Sequence, residues 1–295
     1  MHRGPDELLA AAAAFIEDGL AAGEPTMAVF PNAALERLRS KLGLSAGRVR
    51  LEDVTVVGRN PARLLPLLLE FAEAGRGPSR IIGQPLWPGR SDPEVAEVIC
   101  HEALVNRALA GHDVQVLCVY DVAAADRGVV ADARRTHPQL VSLVGRRSDN
   151  PDYVAPFGGD GDLRRGLEEP RPPVEEIPVT RELGSLRKRV ASSAVTARLS
   201  GSRREDLVLA VNEAAINALE YGQAPRIARL WRRGTSVVAE VVARGRVEDP
   251  LAGRRNPAPH ASRGRGLWTA NQVCDLLQLR HEGPTMRLRL HIHAT

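Results

Sequence analysis

The sequence predicts two domains of different architecture. The first is an N-terminal α/β domain, a mostly parallel sheet between helices. The second is a C-terminal α+β sandwich with helices on one face of a mixed, largely antiparallel sheet. Three observations carry this. Helical and strand-like apolar segments alternate through residues 5–145, the rhythm of βαβ units. A stretch crowded with proline and glycine then breaks the pattern between Arg146 and Pro178. Beyond it two helices come first, strand pairs follow, and the last strand alternates strictly in polarity. A chain of 295 residues has room for two domains of ordinary length.

Taken in order, Asp6–Leu20 is rich in alanine and leucine and reads as a helix, and Thr26–Phe30 as a short apolar strand. Asn32–Leu42 is helical, Val49–Val57 strand-like, and Pro61–Ala74 a helix with Pro61 near its first turn. Arg80–Leu86 follows as a strand and Pro93–Ala110 as a long helix. Val114–Tyr120 is a continuous apolar run, suited to a strand covered on both faces. Asp126–Thr136 is helical, and Leu140–Val144 is a last strand. Domain boundaries fall at 1–147 and 179–295. Residues 148–178 lie between them as a linker whose composition buries little surface.

In the second domain Leu183–Leu199 and Arg204–Tyr221 are helices. Arg226–Arg232 and Ser236–Ala243 are strands joined at Gly234. A loop runs from Gly245 to Gly266, a helix from Leu267 to Cys274, and a strand from Leu276 to Arg280. The closing strand turns Met286, Leu288, Leu290 and Ile292 to one side and Arg287, Arg289, His291 and His293 to the other, which is expected to be exposed.

Composition excludes several function classes. Hydrophobic residues at 43% and charged residues at 26% describe a globular chain, and aromatics at 3% leave the cores to Leu, Val, Ala and Ile. Of the 40 basic residues only Lys41 and Lys188 are lysine, a bias that reads as genome composition. A net charge of +4 over this length is too weak to predict nucleic-acid binding. Cys100, Cys118 and Cys274 form no CxxC pair and are expected as buried free thiols in a reducing compartment. No signal segment and no membrane-spanning apolar run is apparent, so a soluble, cytoplasmic protein with no membrane contact is expected.

The chemistry concentrates on one helix, Val211-Asn-Glu-Ala-Ala-Ile-Asn-Ala-Leu-Glu-Tyr221. Glu213 and Asn217 are four apart and share a face, opposite a stripe of Val208, Val211, Ala215 and Leu219. An amide oxygen one turn from a carboxylate can ligate Mg²⁺ on a nucleoside triphosphate while the carboxylate takes a proton from an attacking hydroxyl. Alone, the pair is better read as the polar face of an amphipathic helix, since short motifs match by chance.

Two further motifs, in a fixed order along the chain, narrow the choice. Glu213-xxx-Asn217-Ala218, then Gly264-Arg265-Gly266-Leu267, then Gly283-Pro284-Thr285 resemble the N box, the GxGL phosphate loop and the Gly-x-Thr of the GHKL ATPases. Within that superfamily residues 179–295 look like an anti-sigma-factor serine kinase with a Bergerat-type sandwich. The resemblance implies Glu213 as general base and Asn217 as the Mg²⁺ ligand. It places phosphate at Gly264, Arg265, Gly266 and Leu267, where a helix N-terminus favours anions. Gly245 and Thr285 would lie near the base. ATP and Mg²⁺ are the implied cofactors. The implied partners are a sigma factor and a STAS-type anti-anti-sigma protein whose serine is phosphorylated; a homodimer is left open.

One motif departs. The family's adenine-reading strand ends in Asp-x-Gly, whereas this chain reads Ala243-Arg244-Gly245. Losing that charge-assisted hydrogen bond costs about 1.5–3 kcal/mol, on the order of tenfold to hundredfold in affinity. Two readings therefore stay open: an ATP-dependent serine kinase, or a non-catalytic adaptor in which ATP binding is weak or lost.

The first domain resembles the MEDS family, sensory domains related to RecA-like ATPases. The resemblance rests on Phe15–Pro25, Gly58–Arg63, Gly83-Gln-Pro-Leu-Trp-Pro-Gly-Arg-Ser91 and His101-Glu-Ala-Leu-Val-Asn106. No GK[ST] occurs, so no working P-loop is expected, and the domain reads as the sensor of an unnamed small molecule. His101-Glu102 has no second histidine or cysteine at ligand spacing beyond Cys100, and a helical packing role is the expectation. Trp87 suits a pocket mouth or a sheet-edge cap. Arg226, Arg229, Arg232 and Arg233 read as a solvated basic strip.

Overall fold

Four parallel strands form the first sheet of the computed structural model: β1 (Thr26–Phe30), β2 (Val49–Asp53), β3 (Ser79–Gly83) and β4 (Val114–Cys118), in the order β2-β1-β3-β4. The described residues are 4–75, 77–123, 125–142, 145–155, 166–258, 260 and 264–294. The chain divides into two units, Met1–Leu163 and Arg164–Thr295. In the first, β1 is buried along its whole length, as a central parallel strand should be. Helices α1 (Pro5–Ala21) and α2 (Asn32–Leu42) cover one face. Leu8, Ala12 and Ile16, spaced by one turn, meet Ala28, Phe30, Leu35 and Leu38 in a single cluster.

Helix α3 (Val54–Val57) occupies the second half of the segment expected as a strand. The reason is local: the Asp53 carboxylate accepts from Thr55 N at 2.9 Å and from Thr55 Oγ1 at 2.7 Å, an N-cap that ends β2 and starts a turn. Helix α4 (Leu64–Ala74) follows. Helix α5 (Asp92–Ala108) opens on a Ser91–Glu94 capping box and is buried nearly all round from Glu97 to Val105. Between β3 and α5, the Arg90 guanidinium stacks over Trp87 at 3.5 Å and donates to the carbonyls of Gly58, Arg59 and Pro85. Trp87 is thus the stacking partner of a tie between two loops. Burial lowers Arg90 to about 10.

After helix α6 (Arg127–Thr136), β5 (Gln139–Val141) does not extend the sheet. It pairs antiparallel with β6 (Arg147–Asp149) in a hairpin of its own. Leu143 and Val144, expected in this strand, lie outside the described residues.

The second unit is an antiparallel sheet ordered β10-β11-β9-β8-β7. Its elements are β7 (Glu175–Pro178), α7 (Leu183–Thr196), α8 (Gly201–Tyr221), β8 (Gln223–Arg233), β9 (Ser236–Arg244), α9 (Arg265–Val273), β10 (Leu276–Glu282) and β11 (Thr285–His293). Strand β7 comes from the proline-rich stretch and adds an edge to β8, with Ile177 in the core. Helix α8 lays Leu207, Ala210, Val211, Ala214, Ala215 and Ala218 on the sheet. The buried stripe is broader than expected, and Val208 and Leu219 sit at its margin. Alanines at the contact let the helix axis approach closely. Among the described residues no helix is long and apolar enough to cross a membrane.

The polar face of β11 corrects an expectation. Arg287, Arg289 and His291 are buried, not exposed. The two arginines flank Glu240, which is fully buried on β9: Arg287 Nη2 lies 3.1 Å from Glu240 Oε1 and Arg289 Nη2 2.8 Å from Oε2. The carbonyls of Leu167 and Glu168 accept from Arg287 at 2.9 Å and from Arg289 at 2.7 Å, so part of the proline-rich stretch lies across this face. Alternation reveals which side chains share a face; it does not reveal that another segment covers it. The basic strip on β8 changes meaning likewise. Arg226 donates to the Ala218 and Gly222 carbonyls and caps α8, while Arg229 pairs with Glu176 and Glu169.

His291 makes the burial testable. Its Nε2 meets Gln278 Oε1 at 3.2 Å. Burial, then the charges of Arg289, Arg233 and His293, lower it to about 3. The unfolded chain takes up this proton near pH 6.5 whereas the folded one does not until about pH 3. Stability is therefore full above about pH 6.5 and falls below it by up to roughly 1.4 kcal/mol per pH unit, about 2 kcal/mol by pH 5. Hydrogen-exchange opening energies of β9 and β11 amides should show that loss, and His291→Gln should lessen it. Equal slopes in the two proteins would refute the assignment.

Candidate functional site

Helices α8 and α9 bring the predicted residues together. Glu213 and Asn217 stand one turn apart on α8, on the side away from the Ala210–Ala214 contact with the sheet. Gly264 caps α9 with φ +84°, a left-handed conformation that glycine adopts without strain. Two residues on, Gly266 rests directly on α8. A methyl group built there would lie 2.8 Å from Glu213 Oε2 and 3.2 Å from Asn217 Nδ2. The first turn of α9, with its unpaired N–H groups, is thus held against the carboxylate–amide pair. Asn217 Nδ2 is buried and has no hydrogen-bond partner. Such an orphan costs about 1–3 kcal/mol, and a half-turn of the amide presents its oxygen to the same place.

The loop leading into α9 is pinned from beneath. Gly253, at φ +71°, leaves no room for a side chain above Leu267, and its carbonyl accepts from Asn271 Nδ2 at 2.9 Å. Leu267 is buried in the core, so its side chain anchors this loop. Arg265, the first residue of α9, is exposed. At the loop's other end Val247 N donates to His281 Nε2 at 3.0 Å. Residues 259 and 261–263 fall outside the described residues.

A second cluster forms at the C-terminal end of α8, one helical turn beyond Asn217. Gly222 packs against Ala243, where any Cβ would meet the alanine methyl at 2.8 Å. Gly245 sits 3.1 Å from the Tyr221 carbonyl by the same measure, and its N–H donates to the Pro284 carbonyl at 2.8 Å. Met286 is the cross-strand partner of Ala243, and Thr285 that of Arg244. Residues 243–245 and 283–285 are therefore side by side. Ala243, 1% exposed, presents only a methyl group, while Arg244 and Arg246 are exposed.

The two clusters differ in fitness for Mg·ATP. The first, around Glu213 and Asn217, has a carboxylate, an unsatisfied amide and a glycine-cleared helix N-terminus, a donor set that fits a magnesium–triphosphate. The second contains Gly245 and Thr285, but the Ala243 side chain offers no acceptor to an adenine amino group.

The chain thus combines a parallel α/β unit with an antiparallel sandwich of the GHKL fold. Residues 1–138 match the model of the MEDS domain, the methanogen/methylotroph DcmR sensory domain, and residues 179–292 match that of the histidine kinase-like ATPase domain. The chain joins a MEDS domain to a histidine kinase-like ATPase domain. Among solved structures it is similar to the RsbU and RsbW domains of Rv1364c from Mycobacterium tuberculosis, at 19% identity and a TM-score of 0.32 over 41% of this chain. The match covers 32% of that chain, about a third of its length. No curated protein matches the sequence.

Proposed function

We propose that this protein is a transcription-control switch of the anti-sigma type, in which the second domain binds Mg·ATP and a protein partner and the first domain supplies the signal. The observation that carries it is the seat of Gly266 on Glu213 and Asn217. Asn217 would hold Mg²⁺, and the start of α9 from Gly264 through Leu267 would receive phosphate. Glu213 would take the proton from a serine hydroxyl on an anti-anti-sigma partner. Gly245 and Thr285 would border the base. Bound Mg·ATP supplies the phosphoryl group; the chain's own part is positioning and charge neutralisation.

The buried methyl of Ala243 supports a second reading, an adaptor that binds its sigma-factor partner with little or no nucleotide. Titration calorimetry of the full chain with Mg·ATP separates the two. Under the kinase reading the native protein binds, Asn217→Ala weakens binding at least tenfold, and Ala243→Asp strengthens it by roughly tenfold to hundredfold. Binding seen only after Ala243→Asp would overturn the kinase reading and leave the adaptor. Native binding indifferent to Asn217→Ala would overturn the site itself.

A further inference from the structure

The first domain gathers three metal-ligating side chains that no sequence spacing links. Glu102 on α5, Cys118 at the end of β4 and His137 just after α6 bring a carboxylate oxygen, a thiol sulfur and a ring nitrogen within 4.8 Å of one another. Glu102 is almost wholly buried at 2% side-chain exposure. Its Oε2 has no hydrogen bond of good geometry, although His137 Nε2 stands 2.9 Å away. The other ring nitrogen, Nδ1, is 2.7 Å from the Ala133 carbonyl, to which it donates as an N–H. That bond places a proton on Nδ1 and leaves Nε2 facing the carboxylate. At 2.9 Å the two meet either through a proton, as an imidazolium–carboxylate pair, or through a cation that takes the proton's place. Imidazole nitrogen and carboxylate oxygen at this separation are also placed as neighbouring ligands of one ion.

The surroundings hold the ligands as a metal site requires. Asn106, one turn beyond Glu102 on α5, donates to the Thr136 carbonyl at 2.7 Å. Asn150 donates to the carbonyls of Arg134 and His137, each at 2.7 Å. The segment bearing His137 is thus fixed from two sides, and its ring by a backbone acceptor, the outer-shell arrangement that orients metal-bound histidine. The Tyr120 hydroxyl is buried beside Glu102, and its ring meets that of His137 edge to face. Cys118, Tyr120 and His137 also line a cavity of about 1130 Å³, bounded by α1, β4, α6 and the β5–β6 hairpin.

We propose that Glu102, Cys118 and His137 bind a divalent transition-metal ion of the zinc class, with a fourth coordination position open to this cavity. The donor set selects such an ion: thiolate and imidazole disfavour magnesium and calcium. A carboxylate and a thiolate together neutralise a dipositive charge, which suits so buried a place. Three protein ligands and one open position are the pattern of a centre that takes an exogenous ligand.

Cobalt(II) titration of the metal-free full chain tests this. One equivalent should produce tetrahedral d–d bands and a thiolate-to-cobalt charge-transfer band, and one equivalent of Zn²⁺ should displace it. Cys118→Ser should abolish the charge-transfer band with the far-ultraviolet circular dichroism unchanged. His137→Gln should weaken binding at least tenfold, while Cys100→Ser and Cys274→Ser leave the spectrum as it was. Absence of stoichiometric binding by the folded protein would overturn the proposal. So would a cobalt spectrum that survives Cys118→Ser or vanishes with Cys274→Ser.

Discussion

Replacing Glu240 by alanine should destabilise the second domain by about 3–5 kcal/mol, the usual range when one partner of a buried ion cluster is removed. Glu240 is fully buried, and both guanidiniums beside it, Arg287 and Arg289, are 7% exposed or less. Alanine would leave two cations in a covered face of the sheet without their shared counter-charge. Arg287 keeps Glu169 at 2.8 Å and Glu282 at 3.2 Å, but these carboxylates are largely exposed and therefore screened. Glu282→Ala should accordingly cost less than about 1 kcal/mol. Urea unfolding of the full chain, read by hydrogen exchange of β9 and β11, gives both values. A Glu240→Ala loss no larger than that of Glu282→Ala would show that Arg287 and Arg289 are satisfied without Glu240.

The second large effect falls on function. Gly266→Ala should lower Mg·ATP affinity by roughly tenfold to hundredfold while leaving the melting temperature almost unchanged. The new methyl would have to displace Glu213 Oε2 and Asn217 Nδ2, both at the ends of side chains that can swing aside without moving backbone. Gly266 has no positive φ, and alanine in a helix is favoured over glycine by up to about 1 kcal/mol. Fold and ligand binding should therefore separate in this variant. Calorimetry and thermal unfolding, run on the native chain and on Ala243→Asp so that weak binding by the native chain does not hide the effect, provide the check. Undiminished affinity in both would place the nucleotide elsewhere.

Much of this site was legible in the chain. The Glu213–Asn217 pairing follows from helical period alone, and the glycines at 264 and 266 announce a turn that backbone must approach closely. The end of β2 was also local, since Asp53 and Thr55 lie two residues apart, yet the β-branched run Val54–Val57 hid a cap that only its hydrogen bonds reveal. The polar half of β11 misled for a different reason. Its alternation is real, but a covering segment whose proline-rich composition promises no packing turns an apparent solvent face into a buried charge cluster.

By itself, then, the sequence determined the two architectures, the order of their elements and the helix face that carries the carboxylate and amide, because these depend on local periodicity and turn chemistry. Only the tertiary structure decided that Gly266 meets that face, that Glu240 shares its charge with two buried arginines, and that Glu102, Cys118 and His137 converge. Those contacts join residues far apart in the chain, and their geometry comes from how helices and strands pack, which no spacing along the sequence encodes.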